Sequence, residues 1–364
     1  MNMKIENDKI ISRYDESLPL VSIIMPAYNS ASTIERAVMS CMEQSYANVE
    51  VVIIDNGSSD DTAAEAERLA TSFYFEKADG SMMPRIKLKL QDNKGVSAAR
   101  NTGIGLVGGE WLMSLDSDDY YETDTVSKLY ASLTDNAADV SVGGIRKVYE
   151  DDTDRNEDFV PETFAGDLKE FAADAFTKLY DLNLIGTHSN KLYSAKLIRD
   201  NGIYYNEELA VNEDIDFVLR YLAACRRISV VPEVFLNYVQ HKAGQSLINT
   251  FQPHGLKGAL IVLARCTELM DKAGALGTEA AARMDDRMFV HICSFAGLMY
   301  YRSGYDGKTI RRELEAMCDD RGFRELLARL KPDGIKNRTA CFLLKYRLID
   351  IYDILCRSVY KNKE

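Results

Sequence analysis

The regular exchange of strand and helix signals over the first 120 residues restricts the fold more than any other feature of this chain. Strands separated by helical stretches pair side by side in the same direction, so the pattern predicts an α/β fold with a mostly parallel, Rossmann-like sheet flanked by helices. Val21 to Met25 is a β-rich run stopped by Pro26, and Thr33 to Gln44 carry apolar residues at helical spacing. Val49 to Ile54 is a second strand, nearly all β-branched, that ends abruptly at Asp55-Asn56-Gly57-Ser58. A helix is expected from about Asp61 to Phe73, a third strand over Ile86 to Leu90, a helix over Val96 to Leu106 and a fourth strand over Glu110 to Leu115.

Three polar clusters, Ala27-Tyr28-Asn29, Asp55-Asn56 and Asp116-Ser117-Asp118, then fall at the carboxyl ends of strands, where open α/β sheets bind their ligands. Asp116, Asp118 and Asp119 come shortly after the apolar run Trp111-Leu-Met, separated from it by Ser114 and Leu115. Carboxylates this close repel one another unless a cation joins them, and hard oxygen ligands suit Mg²⁺ or Mn²⁺ shared with a phosphate. The competing reading is a polar loop that caps a helix starting near Thr123. Gly103-Ile-Gly105-Leu-Val-Gly108 matches the dinucleotide-binding fingerprint in letters only, since that fingerprint must join a first strand to a following helix. Here the glycines close a helix and lead into a strand, so they read as helix-stop and turn residues.

A chain of 364 residues suggests one large domain with a smaller appendage. Its net charge of -12 argues against nucleic acid as a partner, and an anionic diphosphate would need local help from a metal or a few basic residues. Seven cysteines without a Cys-x-x-Cys pair favour reduced thiols and a cytoplasmic setting. No apolar run is long enough to span a membrane, and Met1-Asn-Met-Lys-Ile-Glu does not read as a signal peptide.

In order, Val21-Ser-Ile-Ile-Met-Pro-Ala-Tyr-Asn29, Val51-Val-Ile-Ile-Asp-Asn-Gly-Ser-Ser-Asp-Asp-Thr62, Asn93-Lys-Gly-Val-Ser-Ala-Ala-Arg-Asn101 and Leu115-Asp-Ser-Asp-Asp119 resemble the successive signatures of bacterial family 2 glycosyltransferases with a GT-A fold. The resemblance continues through Asn190-Lys-Leu-Tyr193, Asn212-Glu-Asp-Ile-Asp-Phe217 and Tyr238-Val-Gln-His241. It implies a GT-A domain over residues 18–250, a leader over 1–17 and a helical region over 251–364. It also implies transfer of a sugar from a nucleotide-sugar donor to an acceptor hydroxyl with inversion, in cell-surface polysaccharide or glycoconjugate synthesis.

By that resemblance Ala27, Tyr28, Asn29, Asp55 and Asn56 would hold the donor's base, with Asn56 standing where the family usually has a second aspartate. The donor would be a UDP-sugar, and an amide at Asn56 can both accept from and donate to a pyrimidine. Asp116 and Asp118 match the DXD motif: Asp118 would ligate Mn²⁺ or Mg²⁺ on the donor diphosphate, Asp116 would contact the donor's ribose or the metal and its water shell, and Ser117 would lie beside the donor. Arg100 would pair with the donor, and His241 falls where several relatives carry a histidine near the metal. Asn212 reads as the N-cap of a helix beginning at Glu213. Asp214 is the expected general base, and Glu213 is the alternative or an orienting neighbour.

Beyond residue 250 the resemblance fades. Residues 255–330 read as two or three amphipathic helices broken at Ala273-Gly274, Gly304-Tyr305 and Gly322, and Cys341 to Tyr360 as one further helix. Residues 331–364 hold eight Lys or Arg against four acids, a net of +4 in an otherwise acidic chain. The segment 341–364 therefore reads either as a helix packed on the domain or as a peripheral contact with the inner membrane face, near a lipid-linked acceptor. Processive relatives carry a Gln-x-x-Arg-Trp motif downstream of the catalytic carboxylate. The only tryptophan here is Trp111, so one sugar per encounter is expected. The alternatives are a nucleotidyltransferase, whose basic glycine-rich loop is missing, and a non-catalytic nucleotide-sugar-binding module, which would need no base.

Overall fold

The computed structural model describes residues 3–7, 9–240, 255–300 and 304–360. Strands Val21–Ala27 and Val49–Asp55 are buried at every position, which explains their continuous apolar runs: a strand covered on both faces has no polar side to alternate with. With Trp111–Ser114 and Ile86–Leu90 they form the parallel half of the central sheet. From one edge the order is Phe164–Asp167, Arg227–Val239, Val140–Val148, Lys191–Ser194, Trp111–Ser114, Val21–Ala27, Val49–Asp55 and Ile86–Leu90. Lys191–Ser194 runs antiparallel to both neighbours and divides the parallel half from a mixed half, in which Val140–Val148 is parallel to Arg227–Val239.

Residues 1–17, set apart above as a leader, carry strands Met3–Glu6 and Lys9–Arg13 of a second, four-stranded sheet. That sheet also takes Phe73–Glu76, so the helix expected to reach Phe73 stops at Ala70. Phe73 and Phe75 are buried at every second position, a strand period that overrides the helical one. Arg85 ties the two sheets together from a fully buried position, donating to Val49 O at 3.2 Å, Ser12 Oγ at 3.2 Å and Met42 O at 3.3 Å.

Several sequence expectations need correction. Gly103 lies inside helix Val96–Leu106, and Gly105 is in its last turn, one residue before the helix stops. A Cβ on Gly103 would meet Ile24 Cγ2 at 2.5 Å, so this glycine lets the helix press directly onto the first core strand. Helix Glu213–Leu222 begins where expected with Asn212 at its N-cap position, but Asn212 stands in the left-handed region at φ 67° and makes no side-chain cap bond. Among the described residues four helices replace the two or three expected over 255–330, namely Gly255–Lys272, Glu279–Leu298, Gly307–Asp319 and Arg321–Arg329. The last runs through Gly322, and the break falls at Asp320, whose carboxylate accepts from Phe323 N at 2.8 Å. The single C-terminal helix is two, Ile335–Lys345 and Ile349–Tyr360, separated at Arg347 with φ 54°.

Helix Gly255–Lys272 packs on helix Glu213–Leu222, and one apolar core runs through both regions. Buried Asp216 fastens that contact, taking Arg220 and Arg265 at 2.9 Å each. Among the described residues no helix is long and apolar enough to cross a membrane.

Candidate active site

Strand order places the three polar clusters side by side. Val49–Asp55, Val21–Ala27 and Trp111–Ser114 are consecutive in the sheet and parallel, so Asp55-Asn56, Ala27-Tyr28-Asn29 and Asp116-Ser117-Asp118 share one rim. They span about 10 Å, two strand spacings. Ala27 is buried and pairs with Asp55, while Tyr28 is 52% exposed. Asn29 stands at φ 50° and its Oδ1 accepts from Ser59 N at 2.8 Å. Asp55 accepts from Ser58 Oγ at 2.5 Å and Ser58 N at 3.3 Å. The Asn56 amide is largely consumed within the fold: Oδ1 accepts from Gln91 Nε2 at 2.9 Å and Lys94 N at 3.2 Å, and Nδ2 donates to Asn93 Oδ1 at 3.1 Å. Asn56 therefore braces the 91–95 turn, as Asp55 braces the turn at Ser58.

The charged centre forms where Asp116 leaves its strand. Arg100, on helix Val96–Leu106 and with only 4% of its side chain exposed, reaches Asp116 Oδ1 at 2.9 Å, Asp214 Oδ1 at 2.9 Å and Glu213 Oε1 at 3.2 Å. One buried guanidinium thus joins the first aspartate of the rim to both acids at the head of helix Glu213–Leu222. Asp214 Oδ1 also lies 3.0 Å from Nδ1 of buried His188. Burial alone would raise the Asp214 carboxyl, but Arg100 and then His188 outweigh it and hold it below the usual carboxylate range. Glu213 goes the other way, pushed up by burial and by the Asp214 charge beside it. Adjacent carboxyls whose environments drive them apart are the arrangement from which acid and base roles are built.

Asp118 is half-buried, and its carbonyl accepts from Arg36 Nη2 at 2.6 Å. Ser117 is buried in the same turn. Asp119 is also buried, accepting from Val239 N at 2.8 Å; burial and then the charges of Asp118 and Asp116 push its carboxyl well up. Asp116, Asp119, His188, Glu213 and Asp214 line one end of a cleft of about 700 Å³ that opens toward helix Glu279–Leu298. The base-side clusters lie further along the rim, outside this cleft. His241 lies outside the described residues.

The glycosyl transferase family 2 model matches residues 22–202, which include all three rim clusters and Arg100. The chain belongs to this family. The glycosyltransferase is 25% identical over 350 residues to the putative glycosyltransferase EpsH of Bacillus subtilis, covering 94% of this chain and 96% of that one. It is 27% identical over 234 residues to the poly(ribitol-phosphate) β-N-acetylglucosaminyltransferase TarS of Staphylococcus aureus, covering 63% of this chain and 37% of that one. The crystal structure of TarS 1–349 in complex with UDP-GlcNAc superposes with a TM-score of 0.66 at 20% identity, over 95% of this chain and 92% of that one. That likeness bears on the fold, which is of the expected GT-A type.

Asp116 and Asp118 offer hard oxygens from a single turn, the donor chemistry that Mg²⁺ or Mn²⁺ takes. No three His, Cys, Asp or Glu side chains among the described residues gather into a site that could hold a metal alone. Such an ion commonly takes one or two carboxylates together with substrate phosphates, so the residues of this glycosyltransferase fit a metal that arrives with a diphosphate.

His188 is the member of this charged cluster that sequence reasoning missed. It lies in the loop before strand Lys191–Ser194, held by Tyr193 Oη on its carbonyl at 2.9 Å and by buried Lys191, which donates to Leu184 O at 2.6 Å and Asn190 Oδ1 at 2.7 Å.

Proposed function

We propose that this glycosyltransferase moves one sugar from a UDP-sugar to a carbohydrate hydroxyl with inversion of the anomeric centre. The observation that carries the reading is the convergence of Asp116, Glu213 and Asp214 on buried Arg100 at the rim of a cleft. Asp55, Tyr28 and Asn29 are assigned to the base, and Asp116 and Ser117 to the neighbouring part of the donor. Asp118 and Asp116 would hold Mn²⁺ or Mg²⁺, which when bound neutralises charge on the departing nucleoside diphosphate.

Asp214 is assigned as the general base. Its Oδ1 takes both Arg100 and His188, so Oδ2 is the oxygen left to meet an acceptor hydroxyl. Arg100 is assigned to position Asp214 and Asp116 relative to each other, and Glu213 to orient Arg100. The poly(ribitol-phosphate) β-N-acetylglucosaminyltransferase TarS and its UDP-GlcNAc complex make UDP-N-acetylhexosamines the first donors to test.

Calorimetry with UDP, GDP and dTDP should show UDP binding that weakens at least tenfold when Mn²⁺ is chelated, a loss of about 1.4 kcal/mol. Mass spectrometry of the product should show a single-residue increment. Full turnover in excess chelator would sink the metal assignment, and a ladder of long products the single addition.

Peripheral contact with a membrane through 341–364 is part of the same proposal. Cys341, Leu343, Leu344, Ile349 and Tyr352 are buried in the core, but Phe342, Tyr346, Ile351, Ile354, Leu355 and Val359 stay exposed beside Lys345. An amphipathic surface of this kind suits the interface of an anionic bilayer. Flotation with anionic vesicles should recover the protein, and Ile354→Asp with Leu355→Asp should abolish recovery without lowering Tm. Equal recovery on zwitterionic vesicles, or by the double variant, counts against the contact.

A further inference from the structure

Helix Ile34–Met42 lies against the short strand Tyr120–Tyr121, just after the turn that carries Asp116 and Asp118, and one of its faces grips this part of the chain. Arg36 Nη2 donates to Asp118 O at 2.6 Å, Ser40 Oγ accepts from Tyr121 N at 3.2 Å, and Gln44 Nε2 donates to Glu122 O at 2.8 Å. The three residues are spaced four apart, so their side chains follow one face of the helix and its immediate continuation. Each contact takes a backbone group, so the grip fixes the path of residues 118–122 without using a carboxylate. Asp119 pins the same turn from within: its N donates to Asp116 O at 3.1 Å, and its carboxylate accepts from Val239 N at 2.8 Å. Asp118 is caught between these two anchors.

Of the three helix residues, Arg36 is the one that acts on Asp118 itself and the one that carries a charge. Its guanidinium carbon lies 5.0 Å from the centre of the Tyr120 ring, and Nη1 pairs with the carboxylate of Glu150, in the loop after strand Val140–Val148. A planar group held by a ring, a carboxylate and a carbonyl has little freedom, as a residue that fixes another must. A lone guanidinium beside a divalent cation would repel it. The Glu150 carboxylate offsets that charge and leaves the hydrogen bond to the carbonyl in place.

We propose that Arg36 is a positioning residue for the reaction: through the Asp118 carbonyl it holds the Asp118 side chain where a divalent cation and a diphosphate are taken together, with Glu150 cancelling its charge. The proposal rests on the metal reading of Asp118. Groups that orient a metal ligand without touching the metal change its affinity by about 10- to 100-fold. Arg36 works on the ligand's backbone, one step further back, so the lower end of that range applies.

The test is a Mn²⁺ titration of the full chain with saturating UDP, free Mn²⁺ being followed by its electron paramagnetic resonance. Wild type should bind Mn²⁺ when UDP is present. Arg36→Met should bind it about tenfold more weakly while UDP affinity in chelator stays within about twofold, and excess Mn²⁺ should restore most of the lost turnover. Damage to the fold would not be reversed by metal, so that recovery separates positioning from collapse. Arg36→Lys keeps a cation able to reach one of the two acceptors and should recover part of the affinity. Glu150→Gln, at a side chain 55% exposed, should weaken Mn²⁺ by about threefold by leaving the Arg36 charge unpaired, and it keeps the proposal testable if Arg36→Met folds poorly. Mn²⁺ binding that is unchanged or tighter in a folded Arg36→Met variant, a turnover loss that excess Mn²⁺ does not reverse, or unchanged Mn²⁺ binding by Glu150→Gln would overturn the proposal. Wild type that binds UDP but no Mn²⁺ sinks the metal reading and the proposal with it, whereas wild-type Mn²⁺ binding that neither variant alters sinks the proposal alone.

Discussion

Asp214→Asn should lower kcat by about 10³-fold while leaving UDP affinity within about twofold, because a positioned base acts on the acceptor's proton in the transition state and not on the bound nucleotide. The substitution keeps the size of the side chain and one oxygen for Arg100 and His188, so loss of turnover reports on the proton and not on collapse of the site. Glu213→Gln is the necessary partner experiment. With Asp214 held below the usual carboxylate range, the base is ionised throughout the neutral region, and kcat/KM should fall only as pH drops into or below that range. Glu213, pushed above its ordinary value by burial and the Asp214 charge, titrates nearer neutrality. If Glu213 carries the proton instead, wild type will show an acid limb near neutral pH, and Glu213→Gln will remove that limb together with the activity. Stopped assays over a pH series with UDP release as the readout separate the two outcomes.

The parts of this site carried by continuous chemistry were legible in the sequence. Val21–Ala27 and Val49–Asp55 announced themselves because a strand buried on both faces must be apolar throughout, and the polar residues that follow had to stand at its end. Helix Val96–Leu106 has the predicted bounds, which placed Arg100 on an element facing the rim. What escaped depended on contacts between segments far apart in the chain. His188 reaches Asp214 because the antiparallel strand Lys191–Ser194 enters the middle of the sheet and Lys191 is buried to brace the loop before it, and nothing local in Thr187-His-Ser announces either event. Asn212 has the composition of an N-cap, but Gly258 of the adjoining helix packs against it so closely that an added Cβ would lie 3.1 Å from Nδ2. Local propensity for the cap was real, and tertiary packing overrode it. Gly322 misled for a similar reason: a glycine is tolerated inside a helix when the Asp320 cap and the buried Phe323, Leu326 and Leu327 hold the turn around it.

Arg100→Met should be the most destabilising single change in the site, costing about 3–5 kcal/mol, because removing one member of a buried ionic cluster leaves the others uncompensated. The three acids are partly open to solvent, with side-chain exposures of 32% for Asp116, 14% for Glu213 and 29% for Asp214, which favours the lower part of that range. The sign of the pH dependence identifies the cause. In wild type the Asp214 carboxyl is lowered, so its contribution to stability is present above its unfolded pKa and is lost as pH falls through the folded value. Without Arg100 the balance reverses: burial and mutual repulsion raise the Glu213 and Asp214 carboxyls, protonation relieves them, and the variant loses stability as pH rises through the carboxylate range. The stability gap between wild type and Arg100→Met should therefore narrow from pH 7 toward pH 5 in urea titrations. Adding Asp214→Asn to Arg100→Met should restore part of the loss, since it removes a charge that has no partner, so the two changes will be strongly non-additive. Arg100→Lys separates charge from shape: a single ammonium cannot hold Asp116 and the Glu213–Asp214 pair in one planar fork, so it should recover much of the stability while kcat stays low. A gap that does not change with pH would locate the damage in packing against Tyr205, whose ring lies 5.2 Å from the guanidinium carbon, and not in the charge cluster.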